Sequence, residues 1–257
     1  MRLTEDQLRR FHCEGLLCIP DAFTLAEVEA IRNQLPVLFN ERCPENFRER
    51  TTDVVRTAMG LHLRNDLFAR LVRDQRFVEP ARQILGEQDL YCQQVKVNAK
   101  EAFTGEQWQW HYDFATHHHE DGVPEPKALN LHIFLDEVTE FNGPLVFIPG
   151  SQIDGPAPTA LDTVTTSYPL WTVGSQVVGP MVERGGMVAP KGAVGTMLIF
   201  ADLMIHGSPA NMSPWSRRIF SLILNPTSNH QTTLQRPDYQ HHRDFTPVVP
   251  LPGSFLS

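Results

Sequence analysis

The chain has 257 residues, a formal net charge of -8 and no long basic run, which removes any electrostatic basis for nonspecific nucleic-acid binding. Hydrophobic residues make up 41% and charged residues 20%, ordinary values for a soluble globular protein that can be a single domain. No stretch approaches the ~20 apolar residues that span a bilayer, and the Met-Arg-Leu-Thr start lacks an apolar signal segment, so the cytoplasm is the expected compartment.

The first part of the chain reads as helical. Thr4 followed by Gln7, and Thr24 followed by Glu27, are capping-box patterns. The second is continued by Val28, Ile31 and Leu35 at helical spacing. Leu16-Leu17-Cys18-Ile19-Pro20 reads as a short strand between these helices. The pattern predicts a third helix from about Asp66 to Leu85, capped by Asn65 and stopped by Gly86. Cys13, Cys18, Cys43 and Cys92 form no CxxC pair, and are expected to be reduced and mostly buried.

Beyond Gly86 short strand-like runs take over: Leu90–Asn98, Leu129–Leu135, Pro144–Ile148, Gly195–Phe200 and Arg218–Leu224. The layout is that of a sandwich or barrel with helices packed outside. From about 152 to 190 periodicity fades and breakers such as Pro156, Pro169 and the Gly185-Gly186 pair accumulate. This segment reads as a lid or active-site flank inserted into the β-domain.

Candidate chemistry lies in the histidines. A non-haem iron site takes two neutral imidazoles and one carboxylate on one face of the metal, leaving other positions open. His-x-Asp supplies two such ligands, but it occurs three times: His111-Tyr112-Asp113, His119-Glu120-Asp121 and His242-Arg243-Asp244. Context separates them. His111 and Asp113 follow Trp108-Gln109-Trp110, which suits a strand end beside a cavity flanked by both tryptophans. His119 lies in the polar run His117-His118-His119-Glu120-Asp121-Gly122, read as a loop, and His242 lies close to a Pro-rich tail. A distal His206 opens His206-Gly207-Ser208, and Arg217 follows eleven residues later at the start of the next strand. A fixed guanidinium there meets the need of a dicarboxylate cosubstrate for a bidentate partner. Lys96 shares a strand face with Gln94 and Asn98, so it is a candidate for the same pocket.

The stretches Gln94-Val-Lys-Val-Asn98, Trp110-His-Tyr-Asp-Phe114, Glu120-Asp-Gly122, Phe141-Asn-Gly-Pro144, Ile148-Pro-Gly-Ser151, His206-Gly-Ser208 with Asn211, Arg217, Arg236-Pro237 and Arg243-Asp244 share one spacing. In it the chain resembles the phytanoyl-CoA dioxygenase superfamily, and within that the bacterial ectoine hydroxylases and the free proline and leucine hydroxylases. The resemblance runs from about Leu3 to Pro247. It implies a mainly β fold with flanking helices, a double-stranded β-helix (jelly roll, cupin-like), as one domain over 1–257. The helical part would cover about 1–88 and the jelly-roll core about 89–250. It implies Fe(II), 2-oxoglutarate and O2 as cofactor and cosubstrates, with His111, Asp113 and His206 on iron. Asn98, Trp108, Ser208 and Arg217 would contact 2-oxoglutarate, while Gln94, Phe200 and Arg243 would face the prime substrate, Arg243 through its carboxylate. His117 stands where the ectoine hydroxylases carry Trp, and Ser221 where they carry Phe, so a free amino acid or a related small carboxylate fits better than ectoine.

The implied reaction is hydroxylation of an unactivated C–H bond. Asp113 disfavours halogenation, which needs that position free of a carboxylate. Desaturation or cyclisation by the same oxidant is the alternative within the class. A non-catalytic metal- or ligand-binding jelly roll and a zinc hydrolase are the rivals outside it. No nucleic-acid or membrane partner is expected.

Overall fold

The computed structural model describes residues 1–256. In chain order the elements begin α1 (Glu5–Glu14), β1 (Leu16–Ile19), α2 (Leu25–Arg32), α3 (Leu35–Asn40), β2 (Asn46–Arg48) and β3 (Val55–Met59). There follow α4 (Leu61–Arg64), α5 (Asp66–Leu71), α6 (Gln75–Leu85), β4 (Leu90–Lys100), β5 (Trp108–His111) and α7 (Asp113–Asp121). The chain continues through β6 (Leu129–Phe134), β7 (Val146–Phe147), β8 (Thr159–Asp162), β9 (Leu170–Val173) and α8 (Ser175–Gly185). The last strands are β10 (Met197–Ala201), β11 (His206–Ser208) and β12 (Arg217–Pro226).

Both capping boxes form: Thr4 and Thr24 accept from the backbone N–H of Gln7 and Glu27, whose side chains return a bond to the cap. Two helices are shorter than the periodicity predicts. Leu35 belongs to α3, which opens with Pro36 in its first turn. The expected Asp66–Leu85 helix is two helices, because the Asp74 carboxylate accepts from the Arg76 N–H and starts α6 afresh.

All strand pairs are antiparallel. They form a seven-stranded sheet ordered β1-β10-β6-β12-β4-β3-β2 and a five-stranded sheet ordered β7-β11-β5-β9-β8. The fold is therefore mainly β with flanking helices, as a jelly roll requires. Alternation sorts the large sheet's two faces. Val95, Val97, Leu131, Ile133, Phe220 and Leu222 point to the helices and join the main core with Phe68, Phe77 and Ile31. Gln94, Lys96 and Asn98, one residue out of phase with them, point the other way and line a cavity between the sheets.

The 152–190 segment is more ordered than its breakers suggest. It holds the β8–β9 hairpin and α8, and β9 pairs with β5 at Thr172↔His111. It reaches the cavity through Tyr168, Pro169 and Leu170. The thiols are also unlike the expectation: Cys92 alone is buried, while Cys13 and Cys18 are exposed and Cys43 is intermediate. Among the described residues no helix is long and apolar enough to cross a membrane.

Gly195 lies just before β10, and its carbonyl accepts from the Phe23 N–H. Its φ is +86°, and a Cβ built there would lie 2.0 Å from the Phe23 carbonyl oxygen. Backbone cannot yield as a side-chain tip does, so Gly195→Ala is expected to destabilise by about 2 kcal/mol or more in a denaturant melt.

Candidate active site

β5 ends at His111 and α7 begins at Asp113, with Tyr112 as the helix cap residue. The two candidate ligands therefore do not share a strand face, as the spacing suggested. A strand-to-helix corner turns both inward instead. β11 brings the third residue alongside, with His206 paired to His111. A register irregularity between His206 and Ser208 then sets Ser208 opposite Trp108. As a result Trp108 and His111 both line the cavity, although three residues apart. Trp110, expected to flank it, packs instead with Tyr112, Phe114 and Ile148 on the far side of the small sheet.

One donor atom from each of His111, Asp113 and His206 lies within 4.8 Å of the others. His111 Nδ1 lies 2.7 Å from the Gln109 carbonyl, and His206 Nδ1 2.9 Å from the Met204 carbonyl. Carbonyl oxygens only accept, so each Nδ1 carries the proton and each Nε2 is left with a free lone pair. Burial pushes His111 down to about 3 and lowers His206 as well, so both are neutral near pH 7. Burial opposes ionisation of Asp113, but His206, Lys96 and His111 around it hold its carboxyl well below the usual range. Two neutral imidazoles and one carboxylate fit a divalent transition metal.

Arg217 opens β12 and is only 2% exposed. Its Nη2 donates to Ser208 Oγ at 3.2 Å, and Ser208 Oγ donates to the Gly143 carbonyl at 2.9 Å. Ser208 thus braces Arg217 and is not among the cavity-lining residues. No carboxylate lies within ion-pair distance of Arg217 among the described residues, and its Nε has no partner. Burial lowers this guanidinium to about 10. A desolvated, unneutralised cation facing a cavity is costly unless an anion arrives. Nearby, Asn98 Oδ1 accepts from Thr57 Oγ1 at 2.9 Å, which leaves its amide N–H groups for the cavity. The Arg56 guanidinium lies 3.9 Å from the Trp108 ring centre, and Tyr168 meets the same ring edge to face.

Gln94, Lys96, His117 and Phe200 also line the cavity. Lys96 is not the solvated lysine a strand face could equally hold: burial lowers its pKa, and the Asp113 charge works against that shift. His117 is not in a loop but on α7, buried, with Nδ1 3.0 Å from Asp202 Oδ1. Arg243 does not belong to the site. It is exposed and donates to the Leu234 and Arg236 carbonyls. Arg236, seven residues earlier, lines the cavity instead, held by Nε donating to Asp121 Oδ1 at 2.9 Å.

Sequence reasoning missed Arg236, Asp202, and the pair Asn130 and His132, which line the cavity from β6. Asn130 Nδ2 and both His132 ring nitrogens are buried without partners. The available signal was two polar residues at i and i+2 in an otherwise apolar strand.

Buried neutral histidines make stability acid-sensitive. Outside the triad, burial lowers His62 to about 3 and His241 to about 4, against 6.5 for the free side chain. Between those values the unfolded chain binds more protons, so stability is lost as pH falls below 6.5. Each histidine contributes a slope of about 1.4 kcal/mol per pH unit there. Chemical denaturation of metal-free protein from pH 7 to 5 is expected to show this steep loss.

Comparison with known proteins accords with this geometry. The phytanoyl-CoA dioxygenase family model matches residues 11–219. The L-proline trans-4-hydroxylase of Streptomyces griseoviridis is 35% identical over 257 aligned residues, covering 96% of each chain. The ectoine dioxygenase of Halomonas elongata is 33% identical, covering 93% of this chain and 76% of its own. The crystal structure of EctD from S. alaskensis with 2-oxoglutarate and 5-hydroxyectoine superposes with a TM-score of 0.86 at 28% identity, over 98% of this chain and 89% of that one. The same protein with bound Fe gives 0.85.

Proposed function

This chain belongs to the phytanoyl-CoA dioxygenase family, and on that premise we propose that it is an Fe(II)- and 2-oxoglutarate-dependent oxygenase that hydroxylates a free amino acid or a similar small carboxylate. Relatives named for proline and ectoine hydroxylation support the substrate class. The observation that carries the reading is Arg217: a buried guanidinium with no ion-pair partner among the described residues, lining the same cavity as a two-histidine, one-carboxylate cluster. A passive metal site or a zinc hydrolase has no use for it.

His111, Asp113 and His206 would hold the iron through two Nε2 atoms and one carboxylate oxygen. Bound Fe(II) supplies oxidative decarboxylation of 2-oxoglutarate by O2, and with it the power to break a C–H bond. The protein's own work is placement and exclusion. The Arg217 fork pairs with the far carboxylate of 2-oxoglutarate, and Ser208 fixes the angle of that fork. Asn98 donates to the same molecule. Trp108, packed against Arg56 and Tyr168, walls off water from the reacting region. Arg236 takes the substrate carboxylate in place of Arg243, since Asp121 fixes its orientation and it faces the cavity. Lys96, Gln94 and Phe200 complete the substrate wall. Four unpaired thiols and a ferrous cofactor suit a reducing cytoplasm.

Incubation with Fe(II), 2-oxoglutarate, O2 and a panel of amino acids tests this. The expected result is substrate-dependent succinate release with a product heavier by one oxygen. Succinate-free protein across the panel, with tight zinc binding, would overturn it.

A further inference from the structure

Helix α7 carries a stripe at four-residue spacing. Asp113 and His117 line the cavity, and Asp121 holds the cavity-lining Arg236. At 1.5 Å rise per residue, each step is about 6 Å along the helix. The stripe therefore runs from the metal cluster, past an imidazole, to a guanidinium.

The charges along it are uneven. Lys96, Arg217 and Arg236 line the cavity, and among the described residues the one lining carboxylate is Asp113. A metal would occupy Asp113. An amino-acid substrate thus has cations for its carboxylate and no free carboxylate for its ammonium. Behind His117 lies a further carboxyl group, Asp202, 1% exposed. Its Oδ1 lies 3.0 Å from His117 Nδ1, within ion-pair distance though outside hydrogen-bond alignment, and neither atom has a hydrogen-bond partner. With Nδ1 turned to Asp202, the ring keeps Nε2 for whatever the cavity holds. A carboxyl group behind the ring favours the Nδ1–H tautomer, which makes Nε2 an acceptor.

Resting on the oxygenase reading above, we propose that the His117–Asp202 pair is the subsite for the substrate's ammonium nitrogen. His117 Nε2 accepts its N–H, and Arg236 takes its carboxylate farther along α7. His117 is then a specificity-determining residue and Asp202 a positioning residue that sets its tautomer. The class selected is a zwitterion with ammonium and carboxylate on one carbon, as in a free α-amino or imino acid. Gln94 Oε1, also buried without a partner, is the competing acceptor.

The test is anaerobic calorimetry on protein loaded with Fe(II) and 2-oxoglutarate. The probes are L-proline and the other proteinogenic amino acids, each against the carboxylic acid that lacks its amine (cyclopentanecarboxylate for proline). Wild type is expected to bind at least one amino acid about ten- to a hundredfold tighter than its des-amino partner. His117→Leu should collapse that ratio to within about threefold while the des-amino acid keeps its affinity. His117→Gln, which retains an acceptor, should restore part of the ratio, and Asp202→Asn should lower it with an imidazole still present. Arg236→Leu should weaken both members of a pair alike. The proposal is overturned if wild type shows no preference for the amine, or binds no member of the panel. It is equally overturned if His117→Leu keeps the ratio or Gln94→Leu is what abolishes it. Binding of 2-oxoglutarate to the ferrous protein, read separately by its visible charge-transfer band, reports on the oxygenase reading itself.

Discussion

Asp113→Ala is expected to abolish turnover while leaving a folded protein. Partners that merely orient a metal ligand typically cost ten- to a hundredfold in metal affinity when removed, so loss of a direct ligand should exceed about a hundredfold. The fold does not lean on this side chain. Asp113 makes no capping bond to α7, whose cap residue is Tyr112. Its contribution to the helix is the favourable place of a carboxylate in the first turn, worth at most about 1 kcal/mol. Ferrous-ion titration and a thermal melt on the same sample separate the two effects. A variant that binds iron as wild type does would remove Asp113 from the metal centre. One that simply unfolds would show that the side chain has a structural role not visible in its contacts.

Arg217→Leu is expected to raise the dissociation constant for 2-oxoglutarate by about thirtyfold to several thousandfold, the range for truncating one member of a buried charge pair. Prime-substrate affinity should change far less. The metal-free protein should be at least as stable as wild type, because burial disfavours this guanidinium and Asp136, outside ion-pair distance, offsets that penalty only in part. Arg217→Lys should fall between, keeping the charge but losing the two-pronged geometry. A loss of stability together with unchanged 2-oxoglutarate binding would mean that Arg217 is a structural cation.

These two residues were legible in the sequence because order and spacing identified them. His-x-Asp alone matched three places; the aromatic strand context of Trp108-Gln109-Trp110 picked out His111 and Asp113, and the distal His206 with Arg217 at the head of the next apolar strand completed the set. Gln94, Lys96 and Asn98 were legible for the same reason: period-two alternation places all three on one face. What stayed hidden depends on contacts across the fold. Arg236 and Arg243 sit seven residues apart in an irregular stretch, and nothing local says which turns inward. That is decided by Asp121, 115 positions away. Asp202 shows no motif, and its meaning appears only when β10 and α7 bring it to His117. Trp110 was placed on the cavity by a simple alternation that the irregularity opposite β11 breaks. The α5–α6 break turned on whether Asp74 would cap a helix or ride on one, and both fit its sequence. The hairpin within 152–190 pairs with β5, and such long-range pairing leaves little local trace.

The most direct test of the central claim is an anaerobic titration of 2-oxoglutarate into Fe(II)-loaded protein, followed by visible absorption. The expected result is a saturable charge-transfer band in wild type, absent in Asp113→Ala and shifted to far higher 2-oxoglutarate concentration in Arg217→Leu. A wild-type protein that binds Fe(II) but develops no such band at any 2-oxoglutarate concentration would contradict it.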